Sequence, residues 1–339
     1  MKKFLIILMT IAMTISLGAC SQQAPTYNAK LWMSYSDRGY DVPYKSETLV
    51  YDVYVGTQLT PGVLTLTFRS YMLGGETVNA KVFTRGEATT VNGSNIGTIG
   101  AYDIKTGDYT LEATLNFASG DYVGDSIYYF CHMDSAMNPL ASYREVMLAY
   151  EATASSSRYD DIEKPLSQVY YTTYKVTTQE STSVYAVRDD FGSDTFNVST
   201  YNATHTSQIV DTMQLIYSAR SLSTLASGGS VSSYISIPSP VENTVKQMSI
   251  STYSQDVAVE DGAYIKSSGI LGESTSISCT ALRIMLYNET VSGQGLIYYY
   301  SNTPLKESAS ENADTIGLVP VKMVEGNTTY TLRSISVEK

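Results

Sequence analysis

The chain has 339 residues, with 22 basic against 33 acidic side chains and a formal net charge of −11. That balance excludes nucleic acid and anionic membrane surfaces as partners, since both reward positive patches. Only 16% of residues are charged while 29 are tyrosine, which excludes a disordered chain and leaves one large β domain or two smaller ones.

Lys2 and Lys3 precede a short apolar run from Phe4 to Leu17 that leads into small residues. This is the pattern of a cleaved export signal, because the run is too short to span a bilayer. Leu17-Gly18-Ala19-Cys20 resembles the lipobox of bacterial lipoproteins. The resemblance implies removal of residues 1–19 and a lipid on Cys20 that anchors the exported protein to a bacterial membrane, at the outer membrane or cell surface. Residues 20–44 read as a polar tether, and 45–339 as a β-rich domain, either whole or as two halves, 45–155 and 165–339.

Strands begin at Glu47. In the stretch from Val63 to Phe68, Val63, Thr65 and Thr67 alternate with Leu64, Leu66 and Phe68, the pattern of a half-buried strand. Further strands are expected near 77–84, 109–117 and 125–133. Residues 143–153 contain helix formers, yet Arg144, Val146, Leu148 and Tyr150 alternate, and the strand reading is preferred. Residues 154–166 are the most loop-like interior segment. Strands are expected again near 168–178 and 182–189, and later near 231–237, 244–253, 275–287, 293–301, 316–324 and 328–336.

Between these groups, about 206–227 reads as the one helix. Thr206 or Ser207 serves as its cap and Gly228 as its end. Ile209, Met213, Ile216, Tyr217 and Arg220 share one face, and Val210, Leu215 and Leu222 add a second. A helix apolar on most sides belongs inside something. The expected class is therefore all-β to β-dominated α+β, with curved antiparallel sheets (an open barrel or a sandwich) around one central helix.

Chemistry-bearing constellations are sparse. The two histidines, His132 and His205, have no metal-ligand neighbours at workable spacing, so no metal and no cofactor are expected. Asp190-Phe191-Gly192 lacks the accompanying loops of a kinase, and Gly93-Ser94-Asn95-Ile96-Gly97 is not a nucleophile elbow. Acidic stretches at 159–163 and 189–194 lack full calcium-ligand spacing. Cys131 and Cys279 lie in apolar runs, and export leaves two readings: a disulfide, or two buried free thiols. Asp211 and Arg220 suit opposite ends of a helix dipole, or contact a bound ligand.

Asp211, Tyr217 and Arg220, standing six and then three apart, resemble the helix register of envelope proteins grouped as domain of unknown function 3108. Residues 51–62 resemble that family's first strand, and 298–305 with 317–323 its closing strand pair. Ser301-Asn302-Thr303 and Ser218 depart from its pattern. The resemblance implies a curved sheet wrapping a helix, somewhat like the lipoprotein-carrier fold, with Asp211, Tyr217 and Arg220 as ligand-binding residues and no established activity. The functional expectation is a non-catalytic envelope lipoprotein binding an apolar or amphipathic ligand in a cleft between sheet and helix. The alternative is a surface adhesion or glycan-binding module using exposed tyrosines such as Tyr128-Tyr129, Tyr170-Tyr171 and Tyr298-Tyr299-Tyr300.

Overall fold

The computed structural model describes residues 45–57, 61–83, 98–120, 122–147, 167–188, 197–221, 232–258, 276–286, 295–302, 305–306 and 315–338. The export signal, Cys20, Trp32, the tether, Gly228, the loop at 154–166 and both acidic stretches lie outside these residues.

The first half of the chain supplies β1 (Ser46–Val55), β2 (Gly62–Ser70), β3 (Glu76–Val82), β4 (Thr98–Ile104), β5 (Tyr109–Asn116), β6 (Ser126–Met133), β7 (Pro139–Met147), β8 (Ser167–Lys175), β9 (Glu180–Arg188) and β10 (Asn197–Thr204). Then come β11 (Gln208–Ile209), the helix α1 (Thr212–Ser218) and a 3-10 turn at Ala219–Ser221. The second half supplies β12 (Ser232–Ser239), β13 (Thr244–Ala258), β14 (Ser276–Leu286), β15 (Leu296–Ser301), β16 (Leu305–Lys306), β17 (Thr315–Ile316), β18 (Pro320–Glu325) and β19 (Thr328–Glu338).

Fifteen of these strands form one sheet, in the order β10-β9-β8-β7-β6-β5-β2-β1-β19-β18-β15-β14-β13-β12-β11. It is two antiparallel meanders joined where the first strand pairs with the last, Leu49 opposite Ile335. Hydrogen bonds between β7 and β8 carry the sheet across the loop-like segment, with Ala141 opposite Thr173. The sheet curls until its two ends face each other, and the Tyr185 hydroxyl on β9 donates to Asn243 Oδ1 in the β12–β13 turn at 3.2 Å. β10 and β11 are the two end strands and do not pair, so the barrel is open. The β-dominated class and the curved sheet around one α-helix among the described residues are as the sequence led us to expect.

The helix lies inside because of one topological step. β11 pairs with β12 in parallel, Gln208 opposite Ile235, and a parallel pair needs a long crossover. That crossover contains α1, in which Gln214, Leu215, Ile216, Tyr217 and Ser218 are all buried. The helix is shorter than the expected 206–227, and Thr206 and Ser207 do not cap it. Their neighbours belong to the sheet: Val210 N donates to Ser236 O at 3.0 Å, and the Ser207 and Ser236 hydroxyls are 2.7 Å apart. Asp211 is the true cap. Its carboxylate accepts from Met213 N while Gln214 Oε1 accepts from Asp211 N, a reciprocal capping box.

β4 and β10 are strands that the sequence reading left unassigned, because neither has a clean apolar alternation. β3 and β4 form a separate hairpin on the convex side of the main sheet. It is held by Tyr102 against Phe130 (ring centroids 4.7 Å apart) and by Lys81 Nζ on Glu145 at 2.8 Å. Gly75 before β3 is obligatory at this junction, since a Cβ there would stand 2.3 Å from Ile104 O.

The disulfide alternative is corrected. Cys131 on β6 and Cys279 on β14 are both free and buried, on strands separated by six others in the sheet. Burial pushes the Cys131 thiol well above its ordinary range and the Cys279 thiol up to about 12, so both are neutral and inert.

Candidate functional site

Residues directly opposed in an antiparallel sheet share a face. One such row crosses the concave face through Leu66, Ala113, Tyr129, Arg144, Tyr170 and Tyr185. It begins fully apolar at the barrel centre and becomes polar toward the β10 end. Arg144 sits at the change. Its Nη1 donates to the Tyr170 hydroxyl at 3.1 Å, its guanidinium lies 6.0 Å from the Tyr170 ring centroid, and its buried Nε has no protein partner among the described residues. Tyr170 is pushed up by burial, against which the neighbouring Arg144 charge acts.

Where the two ends of the sheet face each other they leave a cleft of about 770 Å³, within the range typical of small-molecule sites. One wall is Tyr170, Tyr185 and Val187 from β8 and β9. The other is Ile237, Pro238, Met248, Leu286 and Leu296 from β12 to β15. Arg144, Glu325, Thr212 at the start of α1 and the Glu242–Lys246 pair also line it. Deeper in, the space between α1 and the sheet holds a second cavity of about 50 Å³ against Leu64, Ile127, Met213, Ile216 and Met323. Arg144 and Glu325 line both spaces. The inner cavity has room for a few waters or a small apolar group, not for a chain.

Arg144 was visible in the sequence only as one member of an alternating strand. Its place beside the cleft depends on β13 to β15 arriving opposite it, for which local sequence carries no signal.

The three residues expected to bind ligand lie elsewhere. The second carboxylate oxygen of Asp211 accepts from Tyr174 OH at 2.9 Å and Ser142 Oγ at 3.1 Å, tying the start of α1 to β7 and β8. Tyr217 is fully buried and stacks on Phe68, with centroids 4.7 Å apart and planes 4° from parallel. Arg220 is also fully buried. It forms a two-pronged ion pair with Glu47 (2.5 and 3.2 Å) and donates to Gly317 O at 2.9 Å. Tyr217 and Arg220 do meet, with the guanidinium 5.3 Å from the Tyr217 ring centroid, but inside the packed core; Asp211 is tied to β7 and β8 instead, and the three do not line a common cleft. Glu47 escaped the sequence reading, although it occupies the inward phase of Leu49, Tyr51 and Val53 on β1, where an acid calls for a buried cation.

The remaining candidates have structural partners. His132 pairs with Asp108 at 2.8 Å, and His205 with the Ser181 hydroxyl at 2.8 Å, where burial lowers its pKa. No group of three metal-ligating side chains occurs among the described residues. No helix among them is long and apolar enough to cross a membrane. Most of the clustered tyrosines are inside: Tyr129 and Tyr300 are fully buried, and the Tyr300 hydroxyl donates to Ile216 O at 2.9 Å. Tyr253 is the strongly exposed aromatic among the described residues.

No protein-family model and no curated protein matches this chain. Among solved structures it is similar to a crystal structure titled as a beta-barrel-like protein of domain of unknown function DUF1849 from Brucella abortus. That likeness has a TM-score of 0.38 and 10% identity, covering 88% of this chain and 100% of the other.

Proposed function

We propose that the chain is a non-catalytic cell-envelope lipoprotein, lipid-anchored through Cys20, that holds an amphipathic ligand in the cleft between the ends of its sheet. The observation that carries this reading is an open cleft neighbouring an apolar inner cavity beside α1, with Arg144 and Glu325 lining both. A glycan-binding surface would call for an exposed aromatic strip, whereas Tyr129, Tyr298, Tyr299 and Tyr300 of the tyrosine clusters are buried and Tyr128, Tyr170 and Tyr171 are half-buried. Membership of the domain of unknown function 3108 family remains part of the proposal and rests on the helix register of Asp211, Tyr217 and Arg220.

The purified mature chain is expected to raise the fluorescence of an environment-sensitive long-chain probe, and a lipid extract is expected to compete it away. Binding to a defined glycan with no response to the probe would overturn the reading. For the anchor, Cys20→Ser is expected to move the protein from the membrane fraction to the soluble one. Sedimentation of that variant with membranes would overturn the lipobox reading, because a chain of formal net charge −11 is repelled by an anionic membrane surface.

A further inference from the structure

Resting on the cleft-binding reading above, we propose that the ligand is a long-chain carboxylic acid. Its carboxylate pairs with Arg144 and its hydrocarbon chain lies along Ile237, Met248, Leu286 and Leu296.

The head is read from the donors. The cleft carries two cations, Arg144 and Lys246, and Lys246 is already held by Glu242 at 2.8 Å. Arg144 keeps a buried Nε without a protein partner among the described residues. Its Nη1 donates to the Tyr170 oxygen, which leaves the Tyr170 hydroxyl proton to be donated onward. A guanidinium edge and a neighbouring hydroxyl proton match the two oxygens of one carboxylate, the geometry in which charge-assisted hydrogen bonds are strongest.

The charge of the head is read from Glu325. It lines the same junction and, with Asp211, acts electrostatically on Arg144, so the guanidinium already faces carboxylate charge. A head group carrying a single charge therefore adds the least further repulsion there. A phosphate monoester, with nearly two charges, would stand largely uncompensated in a partly buried site.

The chain is read from the walls. The inner cavity of about 50 Å³ is too small for it, whereas the β12–β15 side of the cleft offers Ile237, Met248, Leu286 and Leu296. Each methylene buried there tightens binding about fourfold, so affinity should climb with chain length while the head sets selectivity.

The test uses the complete mature chain, with Cys20→Ser so that no detergent is needed, and three displacers of the fluorescent probe: a long-chain fatty acid, its methyl ester and the alkyl phosphate of equal length. The acid is expected to bind about tenfold or more tightly than the ester, the scale of a charge-assisted pair, and more tightly than the phosphate. Arg144→Met is expected to bring the acid down to the level of the ester. Glu325→Gln removes the competing charge and is expected to tighten the acid severalfold, which serves as the check should Arg144→Met fold poorly. Equal binding of acid and ester by the wild-type chain, or a preference for the phosphate, would overturn the carboxylate assignment while leaving the cleft reading intact. If neither acid nor ester displaces the probe, both fall.

Discussion

Replacing Arg220 with methionine is expected to lower the unfolding free energy by about 3–5 kcal/mol, the usual penalty for leaving one member of a buried ion pair alone. The reason is Glu47. Its side chain and that of Arg220 are both completely enclosed, and the guanidinium covers both carboxylate oxygens. Without the cation, the acid must be buried charged or take up a proton. The size of the loss should therefore depend on pH. A lone buried carboxylate has its folded pKa raised above the unfolded value, so the variant's deficit is smallest below about pH 4, where both states are protonated, and grows as pH rises. Methionine keeps the apolar stem and loses the donor to Gly317 O as well. The double variant Arg220→Met with Glu47→Leu should recover much of the loss, since hydrophobic replacement of a whole buried pair is often close to neutral. Urea unfolding of the three variants at pH 4 and pH 7 checks this. A single variant as stable as the wild type would mean that the helix is not pinned to β1 through this pair.

Ile216→Asp is expected to have an effect of similar or greater size, about 4 kcal/mol or more, by a different route. Ile216 is buried on α1 beside the inner cavity. Removing its branched side chain forfeits a buried apolar contact, and the new carboxyl meets Leu64, Tyr298 and Met323, while Arg144, the cation lining that cavity, is already opposed by Glu325. Such a loss rivals the whole stability of many domains, so the expected readout is a broad, non-cooperative melt. Ile216→Val, costing about 1 kcal/mol, separates volume from charge. An aspartate variant that melts like the wild type would place α1 at the surface and overturn the wrapped architecture.

The balance of local and long-range information explains what could be foreseen. Alternation in segments such as Leu64, Leu66 and Phe68 marked the strands, because each of those strands buries one face against a single core. The all-round apolar character of the stretch around Leu215 and Ile216 marked α1 as internal for the same reason. Its ends were misplaced, since the residues at 206–210 spend their backbone and side-chain hydrogen bonds on β12 and β13, far along the chain.

The sequence by itself determined the β-dominated class and the buried helix, because periodicity and composition are local properties that packing must respect. It also carried Asp211, Tyr217 and Arg220 as a distinctive register. Only the tertiary structure decided what those residues touch: Glu47, 173 positions from Arg220, and Ser142, 69 positions from Asp211. It alone set Arg144 between a polar wall from β8–β9 and an apolar wall from β12–β15. A cleft between the ends of a curled sheet depends on how far the accumulated twist brings those ends together, and no segment of the chain holds that information alone.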